Sequence, residues 1–93
     1  MIPGLRTLRA RYPEVAPFVE RMFAELWANR TKGDQPAWRT MSLREAWQEI
    51  AWHHAKLAVA IKNGDADQIR ELTADVANGA MMLSDILNEQ GIP

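Results

Sequence analysis

Ninety-three residues, 47% hydrophobic and 25% charged, make a single domain over 1–93, and a chain this short buries only about 60–65% of its unfolded surface. A net charge of −1 speaks against a protein built to coat nucleic acid, and the lack of cysteine excludes a disulfide frame, a thiolate zinc site and a thiol nucleophile. The longest apolar-rich stretch, Ile50 to Ile61, is broken by His53, His54 and Lys56 and is too short to cross a membrane, and no signal-peptide pattern opens the chain, so a soluble cytoplasmic protein is expected.

Residues 1–12 are basic through Arg6, Arg9 and Arg11, with room for one short helical piece. Pro13 and Pro17 punctuate the next stretch, and Pro17 suits a first helical position, where its missing N–H costs nothing. From there Val19, Met22, Phe23, Leu26 and Trp27 keep a helical stripe to about Asn29. Arg30 to Met41 reads as a loop, since Gly33-Asp34 and Pro36 are turn signals. It is basic through Arg30, Lys32 and Arg39. Ser42-Leu43-Arg44-Glu45 is a capping box, and a second helix runs from Leu43 to about Lys62. Asn63-Gly64 stops it, Gly64 taking the left-handed cap. Asp65 caps a third helix, with Gln68 completing a second box, and that helix runs from Ala66 to Glu89 and ends at Gly91. Gly79 lies inside it, at a cost of about 1 kcal/mol against alanine, which points to a closely approaching neighbouring backbone.

The fold expected is all-α: an antiparallel hairpin of the second and third helices with an N-terminal helix beside it. On the third helix Glu71, Asp75, Asn78, Met82 and Asp85 share one face. Ile69, Leu72, Val76, Ala80, Leu83 and Leu87 form a neighbouring apolar one. On the second helix Glu45, Glu49, His53 and Lys56 share a face, and Trp47, Ile50, His54, Leu57 and Ile61 form an apolar stripe in which His54 is expected to be packed. Counting outward from Gly64 sets His53 and Lys56 level with Asp75, Glu49 near Asn78, and Glu45 near Asp85. Two polar faces then oppose each other, and carboxylates in a row beside a buried stripe are how a helical bundle offers oxygen ligands to a cation. One helix cannot cover both apolar sides of so long a hairpin. A homo-oligomer, two hairpins making a four-helix bundle, is therefore expected, with Trp47, Ile50, Met81 and Leu83 as surplus apolar surface.

The stretch from Phe23 to Asp85 resembles the small, often phage-borne MazG-like proteins of the all-alpha nucleotide pyrophosphatase group. The residues that carry the likeness are Leu26, Asn29 to Asp34 and Trp38, then Lys56 to Ile61, Gly64-Asp65, and Ala74-Asp75-Val76-Ala77-Asn78 with Met81-Met82 and Asp85. The resemblance implies magnesium held by glutamates of one helix and a glutamate–aspartate pair of the next, and cleavage of (deoxy)nucleoside triphosphates to monophosphate and pyrophosphate. It points to an oligomer as well. Asp75 matches the aspartate. Glu71 stands four residues from it instead of the usual three, and the usual glutamates of the second helix fall at Trp52, His53 and Lys56. Lysine cannot ligate magnesium, and histidine is a poor ligand for so hard an ion.

These residues admit two readings. In the first, Glu45, Glu49, Glu71 and Asp75 are the ligand candidates, with Glu49, Glu71 and Asp75 catalytic. Arg30, Lys32, Arg39, His53, Lys56 and Asn78 then face the substrate, and Trp38 stacks on its base. In the second, the fold is kept for binding, and the Lys56 ammonium takes the metal's place in an ion pair with Glu71 or Asp75.

Overall fold

The computed structural model describes residues 1–91; Ile92 and Pro93, the end of the expected domain, lie outside them. Five helices occur in chain order: α1 Leu5–Arg11, α2 Val15–Ala28, α3 Gln35–Trp38, α4 Leu43–Asn63 and α5 Ala66–Glu89. No strand occurs among the described residues, and none of these helices is long and apolar enough to cross a membrane.

The hairpin forms for the reasons its sequence gives. The Ser42 hydroxyl accepts from the Glu45 N–H (3.1 Å) while the Glu45 carboxylate accepts from the Ser42 N–H (3.3 Å). At the other end Gly64 has φ 65°. The Gly64 and Asp65 N–H groups close onto the Ile61 and Ala60 carbonyls, both at 3.1 Å, which is a Schellman motif. Asp65 then caps α5 by accepting from the Gln68 N–H at 3.2 Å. The reciprocal half of the expected box has no donor left, because the Asp65 N–H already serves Ala60.

α3 lies within the expected loop. Asp34 Oδ1 accepts from the Gln35 N–H at 3.0 Å, and Pro36 sits in the first turn, so the two turn signals start a helical turn. α2 begins two residues before Pro17, which falls within its first turn.

α5 is the floor of the molecule. α4 packs along it in the hairpin, α2 packs on it from the other side, and α2 and α4 make no extensive contact with each other. Gripped from two directions, α5 buries a broader and rotated arc than its apolar stripe alone. Ala74 and Ile86 are fully buried with Leu72, whereas Ala80, expected inside, is exposed. On α2 the half-buried apolar residues are Phe18, Val19, Met22 and Leu26, and Phe23 and Trp27 of the expected stripe face out. A core of Trp38, Ala46 and Ile86, ringed by Leu26, Met41, Met81 and Met82, joins α3, α4 and α5 at one end. Ile86→Ala is expected to cost about 2–5 kcal/mol in chemical denaturation, more than Leu87→Ala, whose side chain is only half-buried.

The outer side of α4 has no cover. Trp47, His54 and Ile61 are exposed, and Ile50 and Leu57 are half-buried at the inner edge of that stripe. His54 is thus not packed within its own chain.

Candidate functional site: an acidic cleft

Between α2 and α4, above α5, lies a cleft of about 1090 Å³. α2 lines it with Glu25, Leu26 and Asn29, α4 with Glu49, Trp52, His53 and Lys56, and α5 with Glu71, Asp75 and Asn78. The segment after α2 adds Lys32 and Trp38. Its volume slightly exceeds the usual range for small-molecule sites, about 300–1,000 Å³.

Three carboxylates converge in it. Glu25, Glu71 and Asp75 each offer an oxygen, and the three oxygens lie within 4.8 Å of one another. Asn29 Nδ2 donates to the Glu25 carbonyl (3.0 Å) and reaches Glu25 Oε2 at 3.5 Å, which ties the side chain to its own helix. Burial pushes the Glu25 carboxyl above its ordinary range, and Asp75 and Glu71 push it further. Asp75 is also raised, first by burial; His53 opposes the shift, Glu71 adds to it, and Lys56 opposes it weakly. The two raised carboxyls stand together with Glu71 in this cluster. Like charges this close are costly to keep ionised together, which is why the neighbouring carboxylates add to the effect of burial.

One turn along α5, Asn78 donates from Nδ2 to the Met22 carbonyl at 3.0 Å. Asn78 is only 4% exposed, and its Oδ1 has no donor. The cleft therefore presents three carboxylates and an unpartnered amide oxygen, an acceptor set in want of a donor or a cation.

The other expected site residues divide. His53 and Lys56 line the cleft together with Asp75. The Lys56 ammonium, however, lies 3.6 Å above the Trp52 ring and makes no ion pair with Glu71 or Asp75. Trp52 is one turn away on the same face of α4, nearer than α5, and an exposed ammonium keeps its water there. His53 Nδ1 donates to the Glu49 carbonyl at 2.8 Å. Glu49 lines the cleft but stands outside the carboxylate cluster, and Glu45 is engaged in the α4 cap.

Arg30, Trp38 and Arg39 have structural partners. The Arg30 guanidinium lies 3.8 Å from the Trp27 ring centre, and its Nη1 donates to the Trp27 carbonyl. Trp38 is buried, and its Nε1 donates to Asp85 Oδ2 at 2.8 Å. Arg39 grips the same carboxylate through Nε (2.9 Å) and Nη2 (3.2 Å) and approaches Glu89 at 3.7 Å. Trp38 thus has no free face for a base, and of the three loop cations only Lys32 lines the cleft.

Hydrogen bonds from Arg39 and then Trp38 hold the Asp85 carboxyl below its usual range. A depressed carboxylate contributes stability that is present above its unfolded pKa of about 4 and is lost as pH falls through the lower folded value. Asp85→Asn is expected to lower the melting temperature at pH 7 and to flatten its fall in acid, followed by thermal melts across that range.

Glu25 carries no family motif, and its place in the cluster comes only from α2 packing on α5. The local signal is its position between Met22 and Asn29, a carboxylate bordering the packed face. Comparison with protein-family models, with curated proteins and with solved structures gave no match.

Proposed function

We propose that the cleft binds a divalent cation, magnesium by the hardness of its oxygen donors, and through it the phosphates of a nucleoside triphosphate. The observation that carries this reading is the convergence of Glu25, Glu71 and Asp75 inside a cleft of nucleotide size. The donor set fits: three carboxylates from two helices, with the Asn78 amide oxygen beside them. Glu25 supplies the carboxylate that the departures at Trp52, His53 and Lys56 had removed, and Lys56 is turned onto Trp52, away from the position a cation would take.

The reaction such a site supports is hydrolysis to monophosphate and pyrophosphate. The bound cation would offset charge on the phosphates and acidify water. Glu25, Glu71 and Asp75 hold the acceptor positions, and Asn29 keeps Glu25 aimed. Glu49, which lines the cleft, would take a proton from water attacking the α-phosphorus as the bond to pyrophosphate breaks. Lys32 is the cation left for phosphate. A second reading keeps nucleotide binding without turnover; it is favoured by the standing apart of Glu45 and Glu49 from the cluster.

A homodimer through the bare face of α4 belongs to the same proposal. Trp47, Ile50, His54, Leu57 and Ile61 recur at steps of three and four, the spacing of a helix–helix seam. Trp47 at 59% exposure is more apolar surface than a helix of this size leaves wet without use.

The test is pyrophosphate release from a panel of triphosphates with magnesium or manganese, beside calorimetric titration of the same nucleotides. Turnover that disappears in Glu71→Gln supports hydrolysis. Metal-dependent binding without turnover supports the second reading. Neither binding nor turnover refutes both.

A further inference from the structure

We propose that the N-terminal arm of one copy of this chain docks in the acidic cleft of a second copy. The arm is residues 1–13 with α1 at its centre. α1 has no buried residue and makes no extensive contact with another helix. Ile2 and Leu5 are 79% and 71% exposed. The radius of gyration is 14.8 Å, against about 12 Å for a compact chain of this length. A segment projecting from its own body with apolar side chains bare is suited to exchange between copies.

Its chemistry matches the cleft. Leu5, Leu8 and Tyr12 fall at steps of three and four on one side of α1, and Arg9 and Arg11 border that stripe on its two flanks. Of the 11 lysines and arginines, three precede Glu14, and none of the 12 carboxylates does. The arm is wholly cationic, and the remaining chain carries eight basic groups against twelve acidic. The acidity gathers where the arm would lie: Glu25, Glu49, Asp65, Glu71 and Asp75 line the cleft against Lys32 and Lys56. Trp52 and Val59, more than half exposed on the cleft's α4 wall, give the apolar stripe a surface. Guanidinium N–H groups supply what the carboxylates there lack, donors and a countercharge. This pairing rests on the acidic lining alone and holds whether or not the cleft also takes a metal.

The lack of cysteine makes the test direct. Chains carrying Leu8→Cys and chains carrying Val59→Cys are mixed in EDTA and oxidised, and products are separated without reductant. A mixed disulfide is expected between the two chains. Adding Arg6→Glu, Arg9→Glu and Arg11→Glu to the arm should lower its yield by about tenfold or more, as loss of charge complementarity does at docked surfaces. Ala80→Cys, exposed on α5 away from the cleft, should give no such product. Failure of the mixed disulfide while both variants keep their helical circular dichroism overturns the proposal. So does a disulfide formed only within a chain carrying both cysteines, which would place the arm on its own cleft. Equal reaction at Ala80→Cys, or indifference to the arginine changes, overturns it too.

Discussion

With the cation site as proposed, magnesium is expected to raise the melting temperature of the parent protein, and Asp75→Asn to abolish that rise. A ligand that binds only the folded state stabilises by about 2.7 kcal/mol at a hundredfold excess over Kd. For a domain of this size that is about 10–20 °C. Without cation the same substitution should act in the opposite sense. Burial raises both the Glu25 and the Asp75 carboxyls; Asp75 and Glu71 push Glu25 further up, and Glu71 pushes Asp75 further up. A raised carboxyl contributes stability that is fully present below its unfolded pKa of about 4 and is lost as pH rises through the higher folded value. The cation-free protein should therefore weaken from mildly acid to neutral pH, and Asp75→Asn, which has no charge to crowd Glu25 and Glu71, should weaken less. Carboxyls raised in this way must lose their protons to take a cation, so affinity for magnesium should grow over the same range. Differential scanning fluorimetry of parent, Asp75→Asn and Glu25→Gln, with and without magnesium, reads all of this. A magnesium shift that survives in both variants would place the ion elsewhere.

Gly79→Ala should destabilise the protein, although alanine is the better helix former by about 1 kcal/mol. A Cβ built there lies 2.8 Å from Ile50 Cγ1. Ile50 is β-branched on a helix and has one strongly preferred rotamer, so it cannot swing aside. α4 and α5 must separate, and overpacking of this kind costs about 1–3 kcal/mol. Set against alanine's gain, the net loss is up to about 2 kcal/mol, and Gly79→Val, bulkier and a poorer helix former, should lose about 3 kcal/mol or more. Ile50→Ala in the Gly79→Ala background should recover part of the loss, the coupling expected of two residues that share one space. Gly79→Ala more stable than the parent in urea would mean that Ile50 yields freely and that α4 does not press on this point of α5.

The hairpin was legible because each of its signals is local. The Ser42–Glu45 box, Gly64 and Asp65 act within a turn of where they stand, and the register they set brought His53 and Lys56 into the cleft with Asp75. Gly79 announced the close approach of Ile50 for the same reason. What escaped was whatever depends on a third element. Glu25 joins the carboxylates only because α2 lies on α5, and nothing in α2 fixes that pairing in advance. Trp38 and Arg39 read as a base platform and a phosphate grip, yet both close on Asp85, 47 and 46 residues away. Lys56 shows a nearer competitor winning: a ring one turn off on its own helix displaced a partner across the hairpin. The apolar stripe of α5 misled by rotation, since a helix held from two sides buries the residues between its contacts, Ala74 and Ile86, and releases Ala80.

The bonds from Trp38 and Arg39 to Asp85 also divide the molecule in time. α4 and α5 meet through a one-turn link and need only a short loop closed, whereas α3 must close one of more than forty residues before it gains anything. The hairpin should then form first and the segment Asn29 to Met41 dock last. In the native state that order runs backward: the segment should open on its own, at a fraction of the global unfolding free energy, while α4 and α5 stay intact. Amide exchange at Ala37 to Met41 should accordingly be much faster than in the middle of α5, and release of whatever fills the cleft would proceed through that opening.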